Sequence, residues 1–292
     1  MNATQIIHLG ILLSIMLIVL SFGMLCTWRD ATSLFRNPSL LLRSLLSMNV
    51  ILPLVIATLV AQFAFRRPVA IALLALAVSP VPPFLPLKQR KLVGHHDYIY
   101  GLLGATSLLA IVLAPATVFL YGQFFSHHSD IAPTAITRMV ALTVLLPFAL
   151  GMIVHHRAPD FAERASPIAN KAGIALLIVA IIPVVIKVWP EMMSLVGDGT
   201  LLAIIAFVVV GLIAGHLLGG PIHADRTILA LSTATRHPGV ALVIAAGLFP
   251  DDKLIAPALL IYLIVAAVVS APYGIWRKRS AAALSAVPPK AG

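Results

Sequence analysis

Residues 226–248 read RTILALSTATRHPGVALVIAAGL, and the middle of this stretch contradicts its ends. Both flanks are apolar enough to enter a bilayer. Between them stand Ser232, Thr233, Thr235, Arg236, His237, Pro238 and Gly239, which bring a charge, a helix breaker and a flexible residue together. An arginine at mid-membrane depth costs about 2.5–3.5 kcal/mol on insertion scales. Pro238 removes a backbone donor and crowds the preceding turn. Interrupted backbone at that depth survives only where it is buried in protein or lines a wet cavity. The economical explanation is a discontinuous helix at a binding site. The alternatives are a kinked helix in a soluble core and a surface loop between two shorter helices.

Composition decides among them. The chain of 292 residues is 60% hydrophobic and 10% charged, with a mean hydropathy of +1.04. Apolar runs of about 20 residues recur along its whole length, which makes it an all-α integral membrane protein with the lipid bilayer as its first partner. A net charge of +10 would suggest nucleic acid in a soluble protein. Here the basic residues cluster between apolar runs, so orientation in a membrane explains them and no nucleic-acid partner is expected. Cys26 is the only cysteine, which rules out an internal disulfide. No Lys or Arg precedes the first apolar run, so it reads as a retained span, not a signal peptide.

About nine spans are expected, at 5–26, 41–65, from 68 onward, within 96–123, within 132–154, and at 168–189, 200–218, 226–248 and 254–275. The third is interrupted at Pro80, Val81, Pro82, Pro83 and Pro86. Together they form a single transmembrane domain, 1–279, followed by a disordered cytoplasmic tail, 280–292. Placing the N-terminus outside puts Arg29, Arg36, Arg43, Lys88, Arg90, Lys91, Arg157, Arg164, Lys171, Arg226, Arg277, Lys278, Arg279 and Lys290 in inner segments, with Arg138 and Arg236 inside spans. Only Arg66, Arg67, Lys187 and Lys253 then lie outside, and the C-terminus is cytoplasmic. The spans of a first half, about 5–123, can be laid over those of a second half, 167–276, with 132–154 as a connector helix that inverts the second set. The third member of each set is the broken one, and paired interruptions in inverted repeats point to a transporter site at two broken, crossing helices.

No enzyme constellation stands out. The carboxylates fall in expected loops or at span ends, and there is no Gly-rich phosphate loop. The pairs His95-His96, His127-His128 and His155-His156 do not share a helix face, and no further ligand completes a metal site. No metal and no cofactor are therefore expected. Arg236 has two roles open to it. Its guanidinium can satisfy carbonyls freed by the break at Pro238, or its planar donors can hold a carboxylate or similar anion. His237 is either a packed neutral ring or a proton carrier. Carbonyls freed by Pro80, Pro82, Pro83 and Pro86 either contact a substrate or are capped by Ser79, Asn49, Thr106 or Ser107.

In order along the chain stand VLSFGM (19–24), VILP (50–53), the proline-broken span at Pro80, GHHD (94–97), TSLLAIVLAP (106–115), TATRHPGVAL (233–242) and FPDDKLIAPALLIY (249–262). This pattern resembles the bile acid:sodium symporter superfamily over residues 17–279. The resemblance implies a secondary transporter of bile acids or other organic anions, with two inverted repeats, and a form lacking the first of ten helices would have nine. It also implies sodium ligands that this chain lacks. A Ser-Asn pair falls at Leu85 and Pro86, Ser and Thr ligands at Ile99 and Leu103, and a Gln at Met48, beside Asn49. A Glu falls at Ser232, and its Gln-Asn at Arg236 and His237.

The expectation is therefore a carrier of small or amphipathic organic anions in a bacterial inner membrane, working by alternating access. Arg236 is expected to stand where relatives hold sodium, so transport is expected to be sodium-independent. Coupling to sodium through backbone ligands, coupling to a proton, export of a metabolite or oxyanion, and a non-transporting sensor on the same scaffold remain as alternatives. Substrate-binding candidates are Arg236, His237, Thr233, Thr235, Ser232, Asn49, Pro82, Pro83, Thr106 and Ser107. Pro80, Val81, Pro86, Pro238 and Gly239 are candidates for shaping the broken backbone. Oligomeric state is left open.

Overall fold

The computed structural model describes residues 3–79, 81, 98–106, 109, 138 and 141–285, and every regular element among them is helical. Helix α1 is Ala3–Gly23, followed by the short α2, Trp28–Ala31, and a 3₁₀ turn at Ser33–Arg36. Helix α3, Pro38–Gln62, contains a π-helical stretch at Leu46–Ile51. Helix α4 is Arg67–Val78, and α5 covers residues 98–106. Then come α6, Ala141–Arg157, α7, Pro159–Lys187, α8, Trp189–Leu195, and α9, Thr200–Leu218. The chain closes with α10, His223–Ala234, α11, Pro238–Leu248, and α12, Ile255–Ser285.

Among the described residues, six segments are long and apolar enough to cross a membrane: Gln5–Gly23, Pro38–Gln62, Pro159–Lys187, Thr200–Leu218, His223–Ala246 and Ile255–Ala281. Six of the expected spans fall on them. The third and fifth fall on the shorter apolar helices α4 and α6, and only the start of the fourth, in α5, is described. Of the six segments, His223–Ala246 is the most enclosed at 72% buried, against 17% for Pro159–Lys187. The stretch carrying the charge and the proline is thus at the centre of the protein and not against lipid.

Two boundaries differ from the sequence reading. Helix α7 begins at Pro159, earlier than residue 168, because Pro159 opens it at a position needing no backbone donor and Asp160 suits the positive end of its dipole. Helix α12 continues to Ser285, so residues 280–285, expected to be disordered, are helical; Ala281, Ala282 and Ala283 are strong helix formers.

The buried side chains fall into two groups. The smaller joins Ile18, Val19 and Phe22 of α1 to Val144, Phe148 and Met152 of α6, with Ile174 and Leu177 of α7 packed against them. The larger is built from α3, α4, α9, α10, α11 and α12. Helix α5 has one face in each: Tyr100 and Leu103 belong to the smaller group, Tyr98, Leu102 and Ala105 to the larger. These two sets follow the i, i+3 and i, i+4 spacings that separate the faces of a helix.

Within the larger group α9 and α10 lie almost backbone to backbone. Gly211, Gly215 and Gly219, four residues apart, face Ala234, Ala230 and Arg226. A Cβ on Gly211 would sit 2.6 Å from Ala234 Cα, and those on Gly215 and Gly219 would be closer still to their neighbours. Small residues at this spacing are how apolar helices approach closely in lipid, where the solvent supplies no hydrophobic drive between them. The pattern holds α10 in place and therefore sets where its C-terminal end can lie. Gly215→Ala is expected to lower stability by about 1–3 kcal/mol through overpacking, read as a drop in melting temperature in detergent. Gly10→Ala, whose added carbon meets its nearest neighbour at 3.4 Å, should leave melting unchanged.

Candidate functional site

Helix α10 stops at Ala234 for a local reason. Pro238 cannot donate to a continuing helix and pushes His237 into an extended conformation, observed at φ −81°, ψ 102°. Thr235 is extended as well, at φ −108°, ψ 117°. Two of the backbone groups freed by this interruption are taken up by one side chain from α12. The Tyr262 hydroxyl accepts from Arg236 N at 2.7 Å and donates to Ala234 O at 3.0 Å. The Tyr262 ring is held edge-on by Phe207 of α9, with centroids 5.4 Å apart.

The guanidinium of Arg236 is completely buried, at 0% exposure. Its side-chain bonds to described residues reach another helix. Its Nε donates to Leu76 O at 3.2 Å and its Nη2 to Ala77 O at 2.8 Å, both in the last turn of α4. Leu76 O also accepts from the Ser79 hydroxyl at 2.9 Å. The side chain therefore bridges the interruption after α10 and the C-terminal end of α4, 159 residues apart in sequence. A helix C-terminus carries about half a unit of negative charge in unpaired carbonyls, so a cation there is well placed. The arrangement gives the buried guanidinium partners of opposite polarity at the end of another helix.

His237 caps the next helix. Its Nδ1 accepts from Val240 N at 3.4 Å, so the neutral ring carries its proton on Nε2. That nitrogen is buried and, among the described residues, has no hydrogen-bond partner. Thr233 bonds to the Ser47 hydroxyl at 2.9 Å, which ties α10 to the π-helical part of α3. Ser232 is buried, while Thr235, Pro238 and Gly239 are half-buried at the break itself.

Other candidates lie differently. Asn49 is half-buried, and it is Ser47, two residues earlier, that reaches α10. The Thr106 hydroxyl turns back to Leu102 O of its own helix at 2.6 Å. Val81 packs in the larger core. Pro80, Pro82, Pro83, Pro86 and Ser107 lie outside the described residues. Met48, Ile99 and Leu103, at the positions where the family resemblance implies oxygen ligands, are buried apolar side chains.

Sequence reading missed Tyr262, Ser47 and the acceptors on Leu76 and Ala77. A tyrosine inside an otherwise apolar span was the one available signal, since its hydroxyl needs a partner there. Ser47 gave none, because a serine can bond back to its own helix. The carbonyls are invisible in a sequence by nature.

The model of the sodium bile acid symporter family matches residues 12–194. The chain belongs to the sodium bile acid symporter family. Membership makes it an integral membrane secondary transporter for a small-molecule substrate, and not an enzyme. No curated protein matches the chain. The family match includes Ser47 and the end of α4 but stops within α8. Arg236, His237 and Tyr262 lie beyond it, so their roles rest on the geometry of this symporter-family chain itself.

Tyr262→Phe keeps the ring against Phe207 but strands the amide of Arg236 and the carbonyl of Ala234. Each buried unsatisfied group costs about 1–3 kcal/mol, so a clear drop in melting temperature is expected. Thr106→Val, which loses only bonds within its own helix, should cost less in the same measurement.

Proposed function

We propose that this transporter carries small or amphipathic organic anions by alternating access and does so without sodium, Arg236 acting as a tethered cation in place of a coupling ion. The observation that carries the reading is the guanidinium at 0% exposure bonded to Leu76 O and Ala77 O. Backbone carbonyls at the end of a half-helix are the groups that hold sodium in many carriers. Here they already hold a positive charge. A sodium ion 4 Å from that charge would be repelled by about 4 kcal/mol at an effective dielectric of 20. The apolar Met48, Ile99 and Leu103 add no ligands to compensate.

The anion, in this reading, is met by the donor on His237 Nε2 and by the positive end of α11, with Ser232, Thr233 and Thr235 along the wall. Pro238 and Gly239 keep the segment between α10 and α11 open at mid-depth, in a member of one of two inverted halves. The division of buried side chains into two groups with α5 between them supplies bodies that can tilt against each other. The membrane would be the bacterial inner membrane, with the N-terminus outside.

Two measurements test this. Purified protein in proteoliposomes should take up organic anions equally with and without an inward sodium gradient; accumulation driven by sodium would overturn the tethered-cation reading. Arg236→Ala should abolish uptake and lower the melting temperature while leaving a folded, monodisperse protein, because it strips charge from the end of α4. Arg236→Lys should retain part of the activity. Undiminished uptake by Arg236→Ala would remove this side chain from the mechanism.

A further inference from the structure

His237 spends one of its ring nitrogens on the fold and leaves the other without a bond. Nδ1 accepts from Val240 N and so caps the first turn of α11. Nε2 carries the ring proton; the residue is 3% exposed, and this nitrogen has no hydrogen-bond partner among the described residues. A buried donor left unpaired is costly, and at a break between two half-helices a ligand that brings an acceptor removes the cost. The cap is also long. At 3.4 Å it exceeds the usual range of about 2.7–3.2 Å for an N–H donor, so it is given up easily.

The two nitrogens are thereby linked. With Nε2 already protonated, a second proton has only Nδ1 to go to. There it turns an acceptor into a donor, and Nδ1–H cannot face the N–H of Val240, so protonation releases the cap on α11. The charged ring then needs a counter-ion. Helices α4 and α12 pack against α11, and α10 leads into it. Of titratable groups, α4 carries only Arg67, at its far end. Helix α12 carries Tyr262, which is engaged with Arg236 N and Ala234 O, and then Tyr273, Arg277, Lys278 and Arg279 toward its other end. Helix α10 carries His223, Asp225 and Arg226 in its first turn. Asp225 is the only carboxylate on these elements, and the helical rise puts it about 14 Å before Ala234. The neighbouring Arg236 is itself a cation, directed to the end of α4. An anion arriving at Nε2 is therefore the countercharge for the imidazolium. By linkage, each then tightens the binding of the other by the same factor.

We infer that His237 is the proton-coupling residue of this transporter: an organic anion bound at Nε2–H brings a proton onto Nδ1, and the two cross together. Release of the α11 cap ties that pair to movement of the broken segment. The proton comes from water on the side of entry. It returns to water on the far side as the anion leaves and Nδ1 caps Val240 N again. Coupling of this kind rests on the reading of Arg236 and His237 as the anion site, and it supplies the driving ion for sodium-free transport.

The test uses purified protein in proteoliposomes with two sulfonates, ethanesulfonate and taurocholate, one small and one amphipathic. Both stay charged at any working pH, so their entry cannot follow their own protonation. One proton per monovalent anion is electroneutral, so an inward gradient of about one pH unit should raise accumulation up to about tenfold over equal pH. Collapsing the gradient with an ionophore should abolish the rise. His237→Gln and His237→Asn each offer an amide oxygen to Val240 N and an amide donor to the anion, but take up no proton. Exchange should be slower in both, and accumulation should no longer differ with and without the gradient. If neither variant transports, the wild type decides: binding of either sulfonate in weakly buffered detergent should take up about one proton per anion. Accumulation indifferent to the pH gradient, a gradient effect kept by both variants, or binding without proton uptake would each overturn the coupling role and leave sodium-free anion transport standing. Transport of neither sulfonate under any gradient would overturn both readings.

Discussion

A positive charge sealed away from water has to be answered by something nearby, and in this protein the answer is the negative end of another helix. Arg236 lies between two segments that would otherwise each expose backbone groups at depth. By donating to Leu76 O and Ala77 O it holds the end of α4 against the break between α10 and α11. Removing either partner would leave the other stranded in an apolar interior, where an unpaired charge costs several kcal/mol. The position of α4 against the break follows from keeping that contact intact.

Such a contact demands accurate placement of the elements that carry it, and two devices supply this. The glycine ridge of α9 lets α10 approach until backbones touch, which fixes the depth and rotation of the segment leading to Arg236. Tyr262 then spans the break, substituting one hydroxyl for a helical hydrogen bond that Pro238 makes impossible. The tie between Ser47 and Thr233 adds a third point of attachment from α3. All three act on the same short segment, which explains why it is the most enclosed of the apolar stretches. The smaller group of α1, α6 and α7 shares none of these ties. It meets the rest through α5 and the linking turns, and its helix α7 also touches the larger group through Val185.

Much of the architecture was legible before any coordinates. Of the about nine spans read from length and polarity, six fall on segments able to cross a membrane, because a helix in hydrocarbon must be both long and apolar, and both properties are written residue by residue. The break at Pro238 was legible for the same reason: a missing donor and a fixed φ are local facts. The end of α12 was misjudged where a low-complexity Ala-rich stretch was read as tail, although alanine extends a helix readily. The family resemblance was carried by short motifs in a fixed order, and the match over residues 12–194 agrees with it.

What the sequence determined alone is that Arg236 must be buried and satisfied, since nothing else justifies a guanidinium inside an apolar run. What satisfies it was decided only by the fold. Its acceptors are carbonyls 160 and 159 residues away, and a carbonyl belongs equally to every residue, so no pattern of side chains can announce it. The same holds for Tyr262 and Ser47, whose hydroxyls become meaningful only once packing brings another helix's backbone or side chain within hydrogen-bond reach. Local chemistry sets which groups need a partner; the close approach of helices distant in sequence chooses the partner.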